Sequence, residues 1–130
     1  MPLNVLIVDD SSVMRAMIIK TIRMSGLDLG EVYQAGNGKE GLDAARENWV
    51  DLVVADINMP VMNGEEMIDR MKADPELSAL PTIVISTEGS ATRIQRLEKK
   101  GVTFIHKPFT PEKCTSVLQE ILGVWHDKQV

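Results

Sequence analysis

Four short runs of almost unbroken apolar residues restrict this chain more than any other feature. VLIV lies within residues 4–9, LVVA within 51–56, TIVI within 81–86 and VTFI within 102–107. A strand with one wet face alternates apolar and polar residues. A run that is apolar at nearly every position must be covered on both faces, as in a parallel sheet. A fifth run, 31–35, is shorter and more polar and suits a sheet edge. Five helical stretches separate or follow these runs, at 12–25, 38–49, 64–72, 91–100 and 111–122. Met14, Met17, Ile18 and Ile22 follow helical spacing in the first, Leu42, Ala45 and Trp49 in the second, and Met67, Ile68 and Met71 in the third. The last has the clearest stripe, with Cys114, Val117, Leu118, Ile121 and Leu122. Thr110 suits its cap and Pro111 its first turn. Only Ala91, Ile94 and Leu97 give stretch 91–100 an apolar face, so it is expected to be loosely held or meant for a partner. Strand and helix alternating five times, with short connections, predict one α/β domain around a parallel sheet.

The chain has 130 residues, 44% of them hydrophobic and 25% charged, enough for a real core in a soluble domain. Its net charge of −5 argues against nucleic acid and anionic membranes as partners, since both call for a basic patch. The first residues carry no signal-peptide pattern, and no apolar run reaches the length of a membrane span. Cys114 is the single cysteine, which excludes an internal disulfide. A cytoplasmic protein is expected. The methionines Met14, Met17, Met67 and Met71 are expected as core filler, Cys114 as a buried inert thiol. His106 and His126 lack spaced partners for zinc. Gly26, Gly36, Gly38, Gly64 and Gly101 read as turn or cap glycines.

In open parallel sheets, ligands bind outside the carboxyl ends of the strands. Asp9 and Asp10 fall at that rim after the first run, Asp56 after the third, Ser86 after the fourth, and Lys107, followed by Pro108, after the fifth. Three carboxylates gathered there would repel one another. A divalent cation and the lysine would offset them, and Mg²⁺ suits hard oxygen ligands. A carboxylate can attack a phosphoryl group. Mg²⁺, Lys107 and the Ser86 hydroxyl would then surround the transferring oxygens. Each residue alone has an ordinary explanation as a cap or turn. Their coincidence at the ends of four strands is the signal.

VLIVDDSSVMR, DINMPVMNG, IVIST and FIHKPF, in this order and spacing, closely resemble the receiver domain of bacterial two-component response regulators. The resemblance runs from residue 3 to about 123. In length and in its DSSVMR, NMP and KPFT segments the chain is most similar to single-domain chemotaxis regulators that bind the flagellar motor. It implies a flavodoxin-like, doubly wound sheet of five parallel strands in the order 2-1-3-4-5 with five helices. Residues 1–124 would form the domain and 125–130 a frayed tail. Asp56 would be the phosphoacceptor. Asp9 and Asp10 would hold Mg²⁺ with Asp56 and the backbone carbonyl of Asn58. Ser86 would bond the phosphoryl oxygen and Lys107 would pair with it. The Lys107–Pro108 bond is expected to be cis. Phe104 takes the place of the switch aromatic that turns inward with Ser86. Asn58 and Glu88 occupy the positions that tune water's access to the acyl phosphate, and a short-lived phosphoryl state is expected.

The same resemblance implies a sensor histidine kinase as donor and a protein target on the face formed by helix 91–100, the last strand and the last helix. That target would be a flagellar switch component or a phosphatase, with the chain a monomer. The chain would be no enzyme beyond its own phosphotransfer and dephosphorylation. Several residues depart from common family patterns. Ser86 stands where Thr is frequent, Thr87 where Ala or Gly is, Phe104 where Tyr is, and Ile57 where a tryptophan reporter can lie. Alternatives are a relay or phosphate-sink receiver outside chemotaxis, a Mg²⁺-dependent aspartyl phosphatase, and a flavodoxin-like cofactor binder. Haloacid-dehalogenase-like phosphatases carry D-x-D after the first strand, where this chain has Asp-Asp-Ser. A phosphate-binding first loop would be repelled by Asp9 and Asp10 unless a metal intervened.

Overall fold

A computed structural model describes residues 2–87 and 89–127, with side chains as far as Ile121 in the last helix. The elements alternate as β1 (Leu3–Val8), α1 (Ser12–Met24), β2 (Leu29–Ala35), α2 (Gly38–Glu47), β3 (Leu52–Ala55), α3 (Gly64–Ala73), β4 (Thr82–Ser86), α4 (Ala91–Lys99), β5 (Thr103–His106) and α5 (Pro111–Asp127). The five strands form one sheet in the order β2-β1-β3-β4-β5, and every neighbouring pair is parallel. This is the doubly wound flavodoxin-like sheet expected from the sequence.

The alternation of side chains along each strand explains the apolar runs. Val5 and Ile7 of β1, with Leu52, Val54, Ile83, Ile85 and Ile105, pack under Ile18 and Ile22 of α1 and Cys114 and Leu118 of α5. Leu6 and Val8, with Val53 and Ala55, face the other way onto Leu42 and Ala45 of α2 and Met67 and Met71 of α3. Ile57, Ile68, Val84, Leu97 and Val102 form a third cluster on that second side, under α4. Both faces are therefore dry, which is why β3 and the central residues of β1 and β4 are apolar. β2, at one edge, is largely exposed or half-buried up to Ala35.

Helix starts follow from short polar side chains. Ser11, Asn37, Asn63 and Ser90 each accept from the backbone N–H three residues on. Thr110 Oγ1 does the same for Lys113 N at 3.2 Å, with Pro111 opening α5. Gly64 opens α3 against the Asp56 carbonyl, so closely that a β-carbon there would collide with that oxygen. Only glycine lets α3 begin this near the strand end.

Three expectations are corrected. Met17 is 56% exposed, because the sheet takes the Met14–Ile18–Ile22 side of α1 and Met17 sits about 100° around from Ile18. Trp49 is 80% exposed, since α2 stops at Glu47 and Asn48 turns extended before the stripe reaches it. The last helix runs to Asp127, past Leu122, carrying residues 125–127 within it, while 128–130 lie outside the described residues. A lone Gly123 weakens a helix without ending it. Cys114 is fully buried, and burial pushes its thiol up in pKa. Among the described residues no helix is long and apolar enough to cross a membrane.

Candidate functional site

The chain reaches β2 on one side of β1 and β3 on the other, so strand order reverses between them. A crevice opens there, at the carboxyl ends. Asp9 follows β1 and donates its N–H to Ala35 O of β2 at 3.0 Å. Asp56 follows β3 and donates its N–H to Val8 O at 3.0 Å. These two backbone bonds bring the strand ends together. Asp9, Asp10 and Asp56 each place one carboxylate oxygen so that all lie within 4.8 Å of one another. Lys107 Nζ lies 3.5 Å from Asp56 Oδ2.

The three carboxylates differ in environment. Asp9 is buried, Asp56 half-buried and Asp10 exposed. Asp9 Oδ1 accepts from Ser11 N at 2.9 Å, but the buried Oδ2 has no hydrogen-bond partner among the described residues. Burial raises the Asp9 pKa. The Ser11 amide opposes that shift, the Asp56 charge adds to it, Lys107 opposes and Asp10 adds. Asp56 Oδ1 accepts from Ile57 N at 2.7 Å. A buried carboxylate with one oxygen lacking a donor, clustered with two more carboxylates, is the chemistry of a hard-cation site. The residues therefore fit a divalent metal.

The other expected residues surround this cluster at different ranges. Ser86 is buried at the end of β4, and its carbonyl accepts from Lys107 N at 3.0 Å, which ties the two strand ends. The Lys107–Pro108 peptide is cis. Asn58 is exposed on the loop after Asp56, and Thr87 is exposed. Phe104 is not at the cluster. It is paired with Val84 on the edge strand β5, half-buried against the core under α4, with its ring edge-on to His106 at 4.8 Å. Glu88 lies outside the described residues.

Two features escaped the sequence. Arg15, one turn into α1, donates from Nη1 to the Asp9 carbonyl at 2.6 Å and from Nε to Gln34 Oε1 at 3.0 Å. Its place five residues after Asp10 in DSSVMR was the available signal, because helical side chains lean back toward the N-terminus. The second is Glu65 on α3. It accepts from Arg96 at 2.6 and 2.9 Å and from Lys100 at 3.1 Å, both from the α4 end, with Arg93 at 3.7 Å. Nothing in local sequence joins residues so far apart.

A doubly wound sheet with an acidic trio and a lysine at its switch point defines a class of signalling domain. The chain belongs to the response regulator receiver domain family, whose model matches residues 5–119. It is 37% identical to a chemotaxis protein CheY homologue of Campylobacter jejuni, over 93% of each chain. Among solved structures it is similar to chemotaxis protein CheY4 of Vibrio cholerae, with a TM-score of 0.81 and 33% identity over 94% of this chain and all of that one. It is also similar to a structure of a CheX–CheY–BeF3–Mg²⁺ complex from Borrelia burgdorferi, with a TM-score of 0.79 and 30% identity over 96% of this chain and 90% of that one.

Proposed function

We propose that this chain is a phosphorylation switch that accepts a phosphoryl group on Asp56 in a Mg²⁺-dependent reaction and then presents an altered face to a protein target. The observation that carries this reading is the trio of carboxylates within 4.8 Å with Lys107 at 3.5 Å from Asp56. Asp9, Asp10, Asp56 and the Asn58 carbonyl would hold the metal. When bound, Mg²⁺ supplies positive charge that offsets the carboxylates and the phosphoryl oxygens.

Asp56 is the nucleophile because it alone among the three is paired with the lysine and half-buried at a strand end. An Asp56 oxygen bonds to phosphorus as the bond from phosphorus to the donor's imidazole nitrogen breaks. The electron pair leaves with the imidazole, and an acyl phosphate remains. Lys107 neutralises charge on the transferred group, and the Ser86 hydroxyl donates to one of its oxygens. Drawing Ser86 toward the phosphoryl opens space on the β4–β5 side, where Phe104 is half-buried. Phe104 then reports the change to the face of α4, β5 and α5.

A histidine kinase is the donor this chemistry fits. The similarity to CheY proteins favours a chemotaxis target, a flagellar switch component or a phosphatase. The Borrelia relative's complex with CheX and Mg²⁺ supports both a metal and a protein partner. The test is intact-mass spectrometry after incubation with acetyl phosphate, with and without Mg²⁺, on wild type and Asp56→Asn. One phosphoryl adduct that needs both Mg²⁺ and Asp56 is expected. An adduct indifferent to Asp56, or none, would overturn the reading.

A further inference from the structure

The acidic pair of DDSSVMR belongs to the site, but its arginine has no part in the chemistry above. Arg15 stands one turn into α1, with its N–H on Ser11 O at 3.0 Å, so its side chain folds back over the β1–α1 loop. There it bridges two partners on different elements, the Asp9 carbonyl at 2.6 Å and Gln34 Oε1 of β2 at 3.0 Å. A guanidinium is planar and rigid, so two bonds from adjacent nitrogens fix both partners in one geometry. A charge-assisted bond of that length is among the stronger kinds.

Every other polar atom of Asp9 is also tied. Its N–H goes to Ala35 O and its Oδ1 accepts from Ser11 N. Only Oδ2 remains, buried and without a partner among the described residues. Asp9 is thus held at three atoms, its N–H, its carbonyl and Oδ1, beside the other two carboxylates. We propose that Arg15 is a positioning residue, bracing the Asp9 carbonyl against Gln34 so that the acidic pair is held ready for a divalent cation. This inference rests on the metal reading of the site.

Two roles for Arg15 predict opposite signs. As a mere cation near the trio it would repel Mg²⁺, and its removal would tighten binding. As a brace it fixes ligand orientation, which Mg²⁺ demands because it tolerates little departure from octahedral geometry. Its removal would then weaken binding, and loss of such outer contacts typically costs 10- to 100-fold, roughly.

The experiment is a titration of the whole chain with MgCl2 at constant ionic strength, followed by the amide NMR shifts of Ser11 and Ile57. These N–H groups donate to Asp9 and Asp56. Arg15→Ala is expected to weaken Mg²⁺ binding about tenfold or more. Arg15→Lys keeps the charge and one donor and should recover part of that loss. Gln34→Ala, at an exposed position, should give a smaller loss of the same sign. Affinity unchanged or tighter in Arg15→Ala overturns the proposal. Should that variant not fold, Arg15→Lys and Gln34→Ala both binding like wild type overturns it. A wild type that shows no saturable shift sensitive to Asp9→Asn overturns the metal reading and the brace together. A wild type that binds while the variants match it overturns the brace alone.

Discussion

Among the described residues, Val61 is the one whose backbone least suits its side chain. It has φ of 65°, it is 77% exposed, and Met62 N bonds back to Pro60 O at 2.7 Å across it. A β-branched residue in the left-handed region costs about 1–2 kcal/mol, and with so much exposure little packing offsets that. Val61→Gly should therefore raise stability by about 1 kcal/mol, reduced somewhat by glycine's greater freedom in the unfolded chain. Equilibrium urea unfolding would measure it, and a destabilised variant would show that the Val61 side chain contributes more than its exposure suggests. The sequence marks a turn here through Pro60 and Asn63-Gly64, but local preference would put a positive φ at asparagine or glycine, not at valine. Asp9, Asp10, Asp56 and Lys107 were legible for the opposite reason. Each falls within two residues of the last buried apolar residue of a strand, so finding the strand end locates the residue. Arg15 was legible only through its place five residues after Asp10, because its partners are a main-chain carbonyl and a residue of another strand, which leave no pattern of their own.

α4 shows the same contrast at the scale of an element. Its thin apolar face was visible in the sequence, and in the structure Leu97 alone is buried, Ile94 is half-buried and Ala91 is exposed. What holds it was invisible. Glu65 gathers Arg96 and Lys100, and Lys100 reaches Asp69 at 2.7 Å, so α4 is latched to α3 by charge. The hydrogen bond from Arg96, then Lys100, against the effect of burial, lowers the Glu65 carboxyl to about 2. A carboxyl with a lowered folded pKa adds stability above its unfolded pKa of 4.5 and loses it as pH falls toward 2. Glu65→Gln should speed amide exchange in α4 at pH 7 by about two- to fivefold, the scale of a partly exposed ion pair. The stability gap between variant and wild type should narrow at pH 3. A gap that held constant from pH 7 to pH 3 would mean that the Glu65 charge is not what the latch uses.

Across the whole molecule, the sheet order itself creates the electrostatic problem. Placing β1 beside β3 brings two acidic strand ends together in a chain of net charge −5. Without a cation the fold holds this repulsion, most acutely at the unpartnered Oδ2 of Asp9. Two consequences follow with opposite signs. Asp9→Asn replaces that oxygen, or its partner, with an amide that can donate to a neighbouring carboxylate. In EDTA the variant should be more stable than wild type by about 1 kcal/mol. A cation that binds only the folded state stabilises by mass action, about 1.4 kcal/mol at ten times its dissociation constant. For a domain of this size that raises Tm by about 4–6 °C. Wild type should therefore climb with Mg²⁺ at matched ionic strength while Asp9→Asn stays level, and the two Tm curves should cross. Calorimetry over a Mg²⁺ series decides it. Parallel curves would mean that Mg²⁺ acts only by screening, and a variant less stable in EDTA would mean that the buried Asp9 charge is already satisfied by the protein.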